Sequence, residues 1–436
     1  MAAQLTGARE AIAIDMTGGQ VDATDEPGET LAQAQAVDLA LKTSPDIQAA
    51  LARVRLAYAE AHQERLLPNP ILTVLVKVPT AGGAPTVEPG IAADLLAIVQ
   101  KPGKVKAADY RLRAAGADAV TAVLDTLAEV HNRYAEIQAL ESLVPVLEER
   151  QRLLDRLLAV AESRLKGGEG TRLDVTTLET QRIELQVEAT ERALELREAR
   201  LQLARLLGRP NDAAQWRLEE WVEPRDVDGD EREWVQTGLE FRPEVSARVW
   251  ELSALGVELR QASWGIGDGA AIGAEAEGTA DSGADDWAVG PSFTVPIPVL
   301  DWGQAKRDAA TARQLEAAHQ LNQIRRQVVE ETRRAHTAFV TTSQIRRRVV
   351  EQLIPSVERR RQEAESQYRA GQSDVVPLIL ADQDLLAART KLIELQRQTS
   401  TSLARLHRAV GGPGAAPSRS ATQPTHEPQA ASFPTP

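Results

Sequence analysis

Residues Ala364–Val410 read AESQYRAGQSDVVPLILADQDLLAARTKLIELQRQTSTSLARLHRAV. A turn-forming Gly371 precedes a long helical pattern. Leu378, Leu385, Leu392 and Leu406 fall on a seven-residue spacing, with Thr399 at the missing step and Ala388 and Leu395 alongside. A strict seven-residue repeat keeps one apolar seam facing a partner helix. The same unit occurs at Ala161–Gly208, AESRLKGGEGTRLDVTTLETQRIELQVEATERALELREARLQLARLLG. There Val187, Leu194 and Leu201 form one seam, and Ala189, Leu196 and Leu203 another. Two copies about 200 residues apart mark a duplicated chain.

Composition agrees with long packed helices. The 436 residues include only 15 aromatics and no cysteine, with 43% hydrophobic and 26% charged residues. Length alone allows two or three domains. Without cysteine there is neither a disulfide framework nor a thiolate metal site. A net charge of −13 argues against a general nucleic-acid binder. No window of ~18 consecutive apolar residues predicts a membrane-spanning helix. Residues 1–30 show no basic start followed by an apolar run, so no signal peptide is visible.

The duplicated pattern predicts five segments. Residues 1–30 read as a flexible lead, 31–208 as the first repeat, 209–237 as an acidic insert, 238–412 as the second repeat, and 413–436 as a disordered tail. In the first repeat a helix runs from Leu31 to Leu66 and stops at Pro68-Asn69-Pro70. Ile71–Val78 is β-rich, Thr80–Gly90 is a loop, and Ile91–Gln100 is a second strand candidate that reads equally well as helix. Pro102-Gly103 opens a helix to Lys166, broken by Gly167, Gly168 and Gly170. The second repeat follows the same order. Arg242-Pro243-Glu244-Val245 matches Ser44-Pro45-Asp46-Ile47, Gly265–Gly278 and Trp287–Val299 are strand candidates around the acidic loop 279–286, and a helix spans 303–370. Four strands cannot close a barrel alone, since transmembrane barrels start at eight. Several copies sharing one barrel would leave no open edge.

Several stretches carry a family resemblance in register: Ser44-Pro45-Asp46; Leu67-Pro68-Asn69-Pro70; Gln100-Lys101-Pro102-Gly103-Lys104; Ile297-Pro298-Val299-Leu300-Asp301-Trp302-Gly303-Gln304; Gly170-Thr171-Arg172-Leu173-Asp174-Val175; and Tyr368-Arg369-Ala370-Gly371. Together they resemble the TolC family of outer-membrane efflux ducts over residues 31–412. The Gly-Lys junction leans towards its CzcC/CusC-like metal-efflux branch. The resemblance implies a mainly α chain with a transmembrane β portion. Three copies would form a homotrimer, each giving four strands to one twelve-stranded barrel above a hollow helical cylinder. It implies outer-membrane lipid around the barrel, a periplasmic adaptor, an inner-membrane pump, no cofactor and no chemistry.

In that family, aspartates and a tyrosine near the helix-turn tips constrict the periplasmic end. The resemblance carries this onto Asp174 and Tyr368. The second-repeat aspartate position falls on Pro377, with Asp374, Asp382 and Asp384 nearby, so the register of an acidic ring is open. A ring of carboxylates suits a pore gate, while helix capping is the plainer role for Asp174 and Asp374. Gly103, Lys104, Gly303 and Gln304 mark the strand-to-helix junctions. Arg325–Arg361 carries ten arginines and four glutamates, which read as a solvated or adaptor-facing helix face. The six histidines are scattered and no metal site is expected. No nucleophile motif is present, so an enzyme is not expected. Trp264, Trp287 and Trp302 flank the second-repeat strands as interfacial aromatics do; the first repeat has none at its strands. The competing reading is a soluble structural coiled-coil protein without a transport role. Such a rod has no use for the strand pairs around ILTVLVKV and GPSFTVPIPV.

Overall fold

The computed structural model describes residues 30–417 apart from 79, 81–84, 169, 210–215, 223–226, 228, 264–268, 280–286, 298–300, 371 and 374. The N-terminal lead, most of the C-terminal tail, Trp264, the acidic loop after Thr279 and the Gly371 turn therefore lie outside the described residues. A two-residue strand, β1 (Thr30–Leu31), is followed by helices α1 (Gln33–Thr43) and α2 (Pro45–Arg65). The single helix expected over 31–66 is thus two. Ser44 is extended (φ −62°, ψ 120°), and Pro45 opens α2 at a position where its missing N–H costs nothing.

Strands β2 (Ile71–Lys77) and β3 (Thr86–Asp94) form an antiparallel hairpin. Helix α3 (Leu95–Lys166) begins eight residues before the expected Pro102-Gly103 start. The reason is local: Asp94 caps the new helix, its Oδ1 accepting the Ala97 N–H at 2.8 Å, while the Leu95 N–H donates to the Ala270 carbonyl at 2.9 Å. The strand candidate at Ile91–Gln100 is therefore half strand and half helix. At about 1.5 Å per residue α3 is roughly 108 Å long. Helix α4 (Arg172–Leu206) follows.

The described residues of the acidic insert include regular structure. Its β4 (Arg217–Leu218) pairs in parallel with β1, and α5 (Glu231–Phe241) starts at Asp230, whose carboxylate accepts the Arg232 and Glu233 N–H groups at 2.9 Å. The buried Tyr134 hydroxyl donates to the Leu31 carbonyl at 2.9 Å and accepts the Glu219 N–H at 3.1 Å, tying this small sheet to α3. The second repeat supplies α6 (Pro243–Ala262), β5 (Ala271–Thr279), β6 (Ala288–Thr294) and α7 (Gln304–Arg348). A π-turn over Val349–Leu353, just before Pro355, leads to α8 (Ile354–Arg369) and then α9 (Val375–Ala409).

The chain divides into two compact units, each of three segments: Met1–Tyr134, Arg197–Glu219 and Phe241–Val328; and Ala135–Leu196, Glu220–Glu240 and Val329–Pro436. Each unit draws on both sequence repeats, and its helices pack both within a repeat and across the two. In the first unit Leu41 and Ile47 pack on Val123, Leu124 and Leu127 of α3, and Ala107 of α3 meets Ala254 and Val257 of α6. In the second, Leu386 of α9 packs on Leu153 and Leu157 of α3, and Trp234 is enclosed by Ala335, Phe339, Leu406, Ala409 and Val410. The α9 seam is buried at Leu385, Leu395, Thr399 and Leu406. In α4 Leu203 is buried, with Leu185, Ala199 and Ala204, and Ala189 and Leu196 are half-buried, whereas Val187, Leu194 and Leu201 are 53%, 58% and 46% exposed.

Helix α4 ends at Gly208, whose φ of +72° lets the Arg209 N–H reach the Ala204 carbonyl at 2.8 Å. A Cβ there would lie 2.6 Å from Thr43 Cβ. Gly208→Ala is therefore expected to destabilise the protein by about 1–2 kcal/mol or more, from left-handed strain plus that clash. Thermal loss of the helical circular dichroism of detergent-extracted protein measures it.

Candidate functional site

The four longer strands form one sheet in the order β2-β3-β5-β6, so the two hairpins join through β3 and β5. All pairings are antiparallel. Residues directly opposite one another share a face, and the printed register therefore sorts the side chains. One face carries the rows Leu72–Ile91–Ala274–Pro291, Val76–Val87–Gly278 and Ala93–Ile272–Phe293, and it contains no polar side chain. The other carries every charged residue of the sheet: Lys77, Glu88, Asp94, Glu275 and Glu277. Lys77 and Glu88 form an ion pair on it. On the apolar face Leu72, Val74, Val289 and Phe293 are 71%, 56%, 74% and 69% exposed. Trp287 covers Gly278, where a Cβ would lie 2.6 Å from the indole.

Strands β2 and β6 each keep one edge unpaired among the described residues. No helix among those residues is long and apolar enough to cross a membrane.

The two strand-to-helix junctions differ. Gly103 lies inside α3, where Gln261 of α6 crosses it. The Gln261 Nε2 donates to the Gln100 carbonyl at 2.7 Å, and a Cβ on residue 103 would fall 2.8 Å from Gln261 Cδ. Lys104, one residue on, is exposed. Gly303 instead begins α7 from the left-handed region (φ +73°), its N–H donating to Asp301 Oδ1 at 2.8 Å, while Gln304 Oε1 accepts the Trp302 N–H at 2.9 Å. One glycine is a close approach and the other a turn, which their shared place in the repeat did not distinguish.

At the hairpin ends, Asp174 lies in the first turn of α4 and Tyr368 near the end of α8, and their side chains are outside the described set, as is the whole of Asp374. Asp382 and Asp384 are described, and both turn to α8. Arg361 Nε donates to Asp382 Oδ1 at 2.5 Å, and Arg360 Nη1 to Asp384 Oδ2 at 2.5 Å. The hydrogen bond to Asp382 raises the Arg361 guanidinium above its ordinary value, against the opposing effect of burial. Arg389 of α9 reaches Glu149 of α3 at 2.7 Å. The arginine-rich stretch is thus partly a set of rivets between helices, which a count of charges along one helix could not show. Among the described residues no cluster of His, Cys, Asp and Glu is placed to hold a metal.

Residues 36–209 and 254–412 match the outer membrane efflux protein family. The chain belongs to that family. Solved structures agree in fold. The outer membrane protein VceC from Vibrio cholerae is similar at a TM-score of 0.72 and 21% identity, covering 87% of this chain and 96% of that one. CusC is similar at 0.72 and 18%, covering 87% and 92%. The Campylobacter jejuni CmeC outer membrane channel is similar at 0.69 and 16%, covering 94% and 93%. No curated protein sequence matches the chain. The TolC-like fold of this outer-membrane efflux protein accounts for the sheet and the long helices together, which the coiled-coil reading does not.

Each half-exposed ion pair across the α8–α9 hairpin is worth about 0.2–1 kcal/mol. Replacing Asp382 and Asp384 together by Asn is expected to raise local opening of the hairpin by roughly 2- to 30-fold, read by hydrogen exchange of α8 and α9.

Proposed function

We propose that the protein is the passive exit duct of a tripartite efflux or type I secretion system. Three copies would join their four-stranded sheets, β6 of one beside β2 of the next, into a closed twelve-stranded barrel in the outer membrane. The helices would continue as a periplasmic conduit. A periplasmic adaptor and an inner-membrane pump would deliver cargo to it. The observation that carries this reading is the sheet itself. All its charges lie on one face, the other is wholly apolar and exposed, and both outer edges are open. In lipid an unpaired backbone edge costs several kcal/mol per group, and only closure removes it. The apolar face would meet lipid and the charged face the water-filled lumen.

The hairpin tips would form the aperture. In this reading Asp174, Tyr368 and Asp374 are the constricting residues, and Asp382 and Asp384 hold the α8–α9 hairpin through Arg361 and Arg360. The duct performs no chemistry.

Membrane fractionation and sizing of the native gene product in mild detergent test the reading. An outer-membrane trimer rich in helix and sheet is expected; a cytosolic, purely helical monomer overturns it. In planar bilayers Asp174→Asn is expected to reduce cation block of conductance while the trimer stays folded, and unchanged block removes Asp174 from the aperture. Glu275→Gln with Glu277→Gln should shift the reversal potential in a salt gradient towards anions, because four carboxylates per copy face the lumen against one lysine.

A further inference from the structure

Where α6 and α7 approach the sheet they enclose an open cavity of about 330 Å³ within the first unit. That volume is at the small end of the range for small-molecule sites. Leu255 and Ala262 of α6 and Ala309 and Ala310 of α7 give it apolar walls. Towards the sheet it is bounded by Gln261, whose side chain bridges to Gln100 of α3. Beyond its other end α6 and α7 close up: Gln314 Nε2 lies 3.4 Å from where a Cβ on Gly256 would stand.

Two cations line it, Lys306 and Arg313. Seven residues apart, they sit on one row of α7, about 10 Å from one another along its axis. Arg313 is exposed and makes no ion pair or hydrogen bond among the described residues. The carboxylate in the wall, Glu258, is held by Arg111 of α3. The cavity therefore carries net positive charge beside apolar walls. Guanidinium and ammonium groups pair with carboxylate, sulfonate or phosphate oxygens, and the alanines leave room for an apolar body between them.

The same ion pair indicates the side on which the cavity lies. Glu258 meets Arg111, so the cavity and the Arg111 row of α3 share one side of these helices. Leu95, Ile98 and Val99 of α3 are 44%, 40% and 49% exposed and lie about 120–160° around the helix from Arg111. The exposed apolar turn is thus on the opposite side. In the reading proposed above the apolar face of the sheet meets lipid, and this turn, directly after β3, continues it. The cavity is then left on the water-filled side.

We propose that this cavity is a binding site for organic anions with a compact apolar body, reached from the lumen just before the barrel. Lys306 and Arg313 hold the anionic group, and Leu255, Ala262, Ala309 and Ala310 hold the body. This deepens, and rests on, the reading of the chain as a duct, because it names a class of solute that is retained on the way through.

The test uses full-length protein in nanodiscs, with naphthalene-2-sulfonate as the probe. In equilibrium dialysis one probe per copy should bind beyond what empty nanodiscs take up. Lys306→Gln with Arg313→Gln should weaken that binding about 2- to 30-fold. Ala310→Trp, which fills the cavity and keeps both cations, should abolish it. Binding that either variant leaves unchanged, or no binding beyond empty nanodiscs, overturns the site; so does inorganic sulfate binding as tightly as the probe. Because the chain has no cysteine, Ala309→Cys can be labelled alone. In planar bilayers its reaction with a charged thiol reagent should change the conductance, and a labelled channel of unchanged conductance overturns the lumenal placement. A wild-type protein that passes no current overturns the duct reading instead, and leaves the dialysis result standing.

Discussion

A strand at the edge of a sheet carries backbone donors and acceptors that must find partners. In this chain two such edges, on β2 and β6, bound a sheet whose one face is entirely apolar. Water does not suit the apolar face, and lipid does not tolerate the open edges. Closure with further strands satisfies both at once, and the charged face is then left for the inside. The helices that leave the sheet follow from that geometry, because each hairpin must return both ends of its strands to the same side.

The passage from strand to helix is decided by single residues. Asp94 ends β3 and caps α3 in one step, with Leu95 stitched to the Ala270 carbonyl. In the second repeat Asp301 and the left-handed Gly303 do the work instead. The duplication preserved the outcome, a helix leaving the sheet, while its means diverged. The same holds within the long helices. Pro145 is accommodated within a continuous α3, whereas Pro355 follows a π-turn.

The charged residues divide by environment. Those of the sheet are segregated onto one face by the two-residue period of a strand. Those of the helices are largely spent on neighbours, as Arg360 and Arg361 are on Asp384 and Asp382, and Arg389 on Glu149. Pairs of this exposure contribute little each, so their value is in fixing which helix lies beside which. Burial supplies the larger share, through the Trp234 and Leu386 clusters.

The seven-residue seams, the duplication and the two strand pairs were legible in the sequence, because periodicity and turn residues are local properties of a chain. So were Asp382 and Asp384 as residues near the hairpin turn. What was not legible depends on a partner distant in sequence. The close approach of Gln261 to Gly103, the pairing of β3 with β5, and the arginines that hold the two aspartates all require neighbours that spacing does not name. The early start of α3 at Leu95 had a local signal in Asp94, but IAADLLAIVQ at 91–100 reads equally well as strand and as helix and so did not place the boundary. The sequence by itself determined that α4 carries two seams. Only the tertiary structure decided that one is buried and the other faces outward, because a helix buries a row only where another helix is brought alongside it.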